Sequence, residues 1–203
     1  MKAAAPRFFR RSVLPASVGI LTLVLTACTG RGGGQLPPDN IAFKAPASFG
    51  FSFSCQDNGG LNSPTGRLAI ELAYVDQGAN PLGSAFGIHG TVDTIDPVVE
   101  SAFCIGQNAP PGGNELIFLG RYRLASSPPA GFPSTCPPRA TRTTPLCRFE
   151  VIVRDNDLNR APSAGDFFSI KLSTVTALTS ELDPTAVFYA RAGLLSSGNL
   201  TVD

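Results

Sequence analysis

Tryptophan is absent from this sequence, histidine occurs once, and tyrosine occurs three times. Each shortage removes chemistry. Without tryptophan, the aromatic platform that usually seats a sugar would have to come from residues such as Tyr122 and Phe132. The lone His89 excludes metal sites built on histidine pairs. A Ser-His-Asp set needs only one histidine, but no Gly-x-Ser-x-Gly elbow accompanies it. The cysteines include no close pair, so no zinc pattern is present. No apolar run reaches the roughly 20 residues that cross a bilayer as a helix. No long segment carries the 3.6-residue period of an amphipathic helix. Only a pair of carboxylates placed for glycoside hydrolysis would leave no trace in sequence, because its separation is spatial.

The N-terminus shows what is there. Lys2, Arg7, Arg10 and Arg11 make a cationic start with no acidic residue, and Val13 to Ala27 are apolar or small. A short apolar core behind a basic start is a signal peptide, here residues 1–27, and not a membrane span. The tetrad Leu25-Thr26-Ala27-Cys28 resembles the bacterial lipobox. That resemblance implies cleavage before Cys28, a diacylglycerol on its sulfur and usually a further acyl chain, such as palmitate, on the new amino group. Two or three chains anchor a protein stably, whereas one binds only marginally. Thr29 stands where an aspartate would signal inner-membrane retention, so the resemblance implies the cell envelope, and the outer membrane where there are two. Residues 9–14, Phe-Arg-Arg-Ser-Val-Leu, partly resemble a twin-arginine signal, which leaves the export route open.

Removing the signal changes the charge. Four of the 16 basic residues and none of the 15 acidic ones lie in 1–27, so the remainder carries 12 against 15, a net charge of −3. Such a body has no basic face for nucleic acid. It also retains four cysteines, Cys55, Cys104, Cys136 and Cys147. An even number in an exported chain points to two disulfides with three connectivities. Cys136–Cys147 is favoured because the two bracket a proline-rich stretch, and Cys55–Cys104 follows by elimination.

Residues 28–46, rich in Gly and Pro, read as the lipidated cysteine and a tether, with a first edge strand around Ile41 to Phe43. The period then becomes two. Phe49, Phe51 and Phe53 share one face; so do Leu68, Ile70, Leu72 and Tyr74; so do Phe86, Ile88 and Val92; so do Leu116, Phe118, Tyr122 and Leu124. In 147–155, Phe149, Val151 and Val153 point one way and Arg148, Glu150, Ile152 and Arg154 the other. Three further runs follow, and turn formers separate them all. Eight or nine short strands predict an all-β fold, a single antiparallel β-sandwich or jelly-roll-like domain over 47–203. Residues 125–146 interrupt it with six prolines and no strand period, an excursion read as a surface insertion tied by a disulfide, with a binding loop as the alternative.

One constellation invites a metal. Asp155, Asp157 and Asn159, with Asp166 at the twelfth position, echo the oxygen spacing of a calcium loop. Arg160 occupies the place of the turning glycine and no helices flank it, so an EF-hand is rejected. A calcium-bearing hairpin loop competes with a polar turn whose Asp and Asn bond their own backbone.

Motif order carries a second resemblance. Gly32 to Gln35, Phe49-Gly50-Phe51, Gly66 to Asp76 with Tyr74, Phe149 to Asn156, Asp166 with Phe168 and Ile170, and Gly193 to Asn199 occur in sequence. The series resembles a bacterial exported β-domain family of unknown activity, sometimes labelled post-COAP. A longer turn at 156–165 and the 125–146 excursion depart from it. The resemblance implies a fold and a compartment, and no substrate. With no catalytic set, the sequence reads as a non-catalytic, lipid-anchored envelope protein in structural or binding work. Its partners would be the membrane, through Cys28, and an envelope protein or glycan. A calcium-dependent adhesion or glycan-binding module is the alternative, and an exported hydrolase the third class.

Overall fold

The computed structural model describes residues 27–39, 41–56, 67–91, 114–138, 146–156, 165–177 and 182–202. Nine strands hold most of them: β1 Ala27–Leu36, β2 Ala47–Gln56, β3 Arg67–Asp76, β4 Phe86–Thr91, β5 Glu115–Leu124, β6 Arg148–Arg154, β7 Phe167–Ser173, β8 Val187–Leu194 and β9 Ser197–Val202. They form one sheet in the order β8-β7-β6-β5-β4-β3-β2-β1-β9. Every neighbouring pair is antiparallel. The chain therefore meanders from β1 to β8 and then returns to pair its last strand with its first.

That return makes the sheet curl. Only Leu195 and Ser196 separate β8 from β9, yet these strands are the two edges of the sheet. The edges must meet at a corner, and the backbone bonds there show it: Leu195 N–H donates to the Asp166 carbonyl at 2.8 Å and Ser196 N–H to the Gln35 carbonyl at 2.9 Å. The inner face packs on itself. Phe49 of β2 stacks on Phe168 of β7 with ring centroids 3.7 Å apart, while Phe51 and Phe53 meet Phe118 of β5. The all-β expectation is met by this one curled, sandwich-like sheet.

The period-2 reading places the core correctly. Phe49, Phe51, Phe53, Ile70, Leu72, Tyr74, Phe86, Ile88, Leu116, Phe118, Tyr122, Phe149, Val151 and Val153 are all buried. On the outer face, opposite charges sit opposite each other across the ladder. Lys171 Nζ is 2.6 Å from Glu150 Oε1 and is its register partner, and Arg154 pairs in the same way with Glu115. Arg148 also belongs to the outer face, yet it is buried. It donates to the Ala177 carbonyl, and neighbouring Arg121 donates to the carbonyls of Leu146 and Thr176 at 2.7 and 2.9 Å. The segment after β7 thus covers this part of the sheet.

The tether expected over 28–46 needs correcting. Residues 27–36 are β1, paired along its length with β2 and over Gly30 to Gln35 with β9. Glycines here serve close backbone approach and not slackness. A Cβ on Gly32 would stand 2.5 Å from the Asn199 carbonyl oxygen and 2.8 Å from Leu200 Cδ2. Opposite Gly34, Gly198 has φ 112°, a conformation glycine adopts without strain. The edge strand expected at Ile41 to Phe43 is a turn. The Asp39 carboxylate accepts the amides of Ile41, Ala42 and Phe43 at 2.9, 3.0 and 2.8 Å. These bonds, Phe43's first, hold its carboxyl below the ordinary aspartate range.

Candidate functional site

The calcium loop falls only partly within the described residues: Asp157 and Asn159 lie outside them, and Asp155 and Asp166 are buried at the two ends of the turn. Asp166 works as a clamp. Its Oδ1 accepts Asn156 N–H at 3.1 Å, its Oδ2 accepts Leu200 N–H at 2.8 Å, and Asn156 Nδ2 donates to the Gly165 carbonyl at 2.8 Å. The carboxylate therefore joins the β6–β7 turn to β9. Among the described residues no group of three or more His, Cys, Asp or Glu side chains is placed to hold a metal ion.

Sequence reasoning missed the main polar cluster, which lies inside the core. Asp76, at the end of β3, is fully buried, and Arg191 of β8 reaches it with Nη1 3.1 Å from Oδ2. Tyr189 donates its hydroxyl to the same oxygen at 2.7 Å and lies 2.5 Å from the Tyr74 hydroxyl. Arg191 Nη2 donates to the carbonyls of Pro37 and Ala45, both at 2.9 Å, and its guanidinium lies 4.6 Å above the Phe43 ring. The ion pair thus fastens the 37–46 loop over one end of the sheet. The only sequence signal was Asp76 at a position whose parity with Tyr74 puts it inward.

The three tyrosines are all buried, so Tyr122 cannot serve as a sugar platform. Burial pushes each phenol well above the ordinary tyrosine value of 10.0. A raised folded pKa contributes stability that is complete below the unfolded value near pH 10 and is lost as pH rises above it. Tyrosinate absorbance is therefore expected to stay flat in the folded protein and to rise only with alkaline unfolding. A fractional tyrosinate signal before the loss of β circular dichroism would contradict this.

The expected Cys136–Cys147 disulfide is present, with Cα atoms 5.4 Å apart. Closing a loop of this size contributes about 3 kcal/mol in the chain-entropy account. Cys104 lies outside the described residues, and with it the Cys55–Cys104 pairing. The described part of the excursion, 125–138, is docked. Phe132 packs edge-on against Phe86, Tyr122 and Phe188, and Gly131 N–H donates to the Leu82 carbonyl at 3.2 Å. Phe132 is thereby committed to packing, not to an exposed platform. Asn80 orders the 77–85 loop beneath it through Gly78, Leu82 and Ser84.

What remains open is the outer face of β2 to β5. A groove of about 690 Å³ runs there, lined by Gly50, Ser52, Glu71, Ala73, His89 and Arg123, among others. Register explains it. Gly33, Gly50, Ala73, His89 and Arg123 form one row across five strands, so the floor is nearly bare backbone and the polar side chains stand at one end. His89 is exposed, as its place between Gly87 and Gly90 predicts. The fold and its surfaces define an all-β domain of one curled antiparallel sheet, stapled by a disulfide, with an open groove on its outer face. No family model, no curated protein and no solved structure matches the chain.

Proposed function

We propose that this is a non-catalytic, lipid-anchored protein of the cell envelope whose β-domain does structural or binding work, in keeping with the exported family it resembles. One observation carries the binding part: a division between inner and outer polar groups. Asp76, Asp166, Tyr74, Tyr189 and Arg191 are consumed in fastening backbone and strands, while Ser52, Glu71, His89 and Arg123 stand exposed around the groove. The lipobox at 25–28 supports the anchor. The same reading takes the two halves of the curled sheet as the layers of a sandwich. Radiolabelled palmitate is expected to enter the wild type and not Cys28→Ala; equal labelling of both would remove the anchor.

A calcium-dependent adhesion role is the second reading, and it rests on the oxygen spacing of Asp155, Asp157, Asn159 and Asp166 in the sequence. Millimolar calcium would then raise the melting temperature of the wild type and leave Asp157→Ala unmoved. An unchanged wild type would remove the metal.

A further inference from the structure

The join between the lipobox and the sheet has a geometric consequence, which rests on the anchored reading above. Cleavage before Cys28 leaves a mature chain whose first residue is already in β1, opposite Cys55 of β2 in the register. β1 is not an edge: β2 and β9 flank it. Freeing it as a tether would break ladders on both sides. As a free Gly-rich coil, residues 28–46 would give the domain a root-mean-square reach of about 24 Å. With 28–36 paired in β1 and the following loop fastened by Arg191 at Pro37 and Ala45, they give none.

We propose that the anchored domain has no leash and is seated on the bilayer, with the Cys28 end of β1, β2 and β3 against the lipid headgroups. At this end the register pairs Gln56 with Arg67, and the next outer-face row is Thr29, Ser54 and Ala69. These described residues are polar or small, a composition that suits contact with headgroups. The opposite end of the same strands is Leu36, Ala47 and Asp76, where the 37–46 and 77–85 loops dock on each other through Lys44 N–H and the Ala79 carbonyl, 3.0 Å apart. Eight residues of strand at about 3.3 Å each hold that end about 26 Å from Cys28. The partner this geometry fits is therefore a phospholipid surface.

The test uses the full lipoprotein reconstituted in vesicles of phosphatidylcholine and phosphatidylglycerol that carry a nitroxide on the headgroup. A small fluorophore is clicked onto an azide-bearing residue replacing Ala69 or Ser84. Quenching at position 69 is expected to exceed that at 84 several-fold. Inserting about twelve Gly/Ser residues after Cys28 should erase the difference, because a flexible coil randomises orientation. Equal quenching at both positions in palmitate-labelled protein overturns the seating and leaves the anchor standing. Absence of palmitate from the protein removes the anchor itself, and the seating with it.

Discussion

Asp76→Ala is expected to destabilise the domain by about 3 to 5 kcal/mol, measured by urea denaturation, because it strands a buried guanidinium. The Arg191 side chain is 3% exposed and Asp76 is not exposed at all. Removing the carboxylate leaves Arg191 with the Pro37 and Ala45 carbonyls, which do not neutralise its charge, and leaves the Tyr189 hydroxyl without its acceptor on Asp76. Replacing both partners by apolar residues, as in Asp76→Leu with Arg191→Met, is expected to recover much of the loss, since no uncompensated charge remains. The Glu150–Lys171 pair provides the contrast. Lys171 is 40% exposed there, so Glu150→Ala is expected to change stability by less than about 1 kcal/mol. A small effect at Asp76 would mean that the network does not hold the 37–46 loop.

Gly32→Val is expected to cost about 3 kcal/mol or more, at the upper end of overpacking effects. The reason is what a side chain would meet. Asn199 carbonyl oxygen at 2.5 Å and Leu200 Cα at 2.9 Å are backbone atoms that no rotamer change can move aside, so β9 would have to leave β1. A valine in a solvated tether would cost almost nothing, and strand propensity alone would favour it. The same variant therefore separates the two descriptions of residues 28–46. A lowered urea midpoint identifies a packed strand, and an unchanged one a leash.

Much of the fold is legible in the sequence because alternation is a local signal. Phe149, Val151 and Val153 announce an inward face without reference to any other strand, and the wholly buried values found there follow. Glycine misleads because its composition is the same in a coil and in a crowded strand. Gly32 and Gly34 signify close approach only once β9, some 165 residues later, is known to lie beside them. The buried ion pair was hidden for the same reason: Asp76 and Arg191 are separated by 115 positions and meet only when the sheet curls. Asp166 is a different case. Its spacing to Asp155 is real, but its own two oxygens serve the amides of Asn156 and Leu200. The groove was invisible because it is made of what Gly50 and Ala73 lack.

The pairing of the first strand with the last bears on how the chain folds. Gly30 lies opposite Val202, so β1 gains its second neighbour only when the final residues arrive. Contacts of such sequence separation close late, after a large loop-closure cost, and they slow folding. The sheet therefore stays incomplete until residues 197–202 are available to pair. Residues 197–202 are thus the latch of the sheet, and a chain truncated before them would leave β1 with β2 as its one ladder partner.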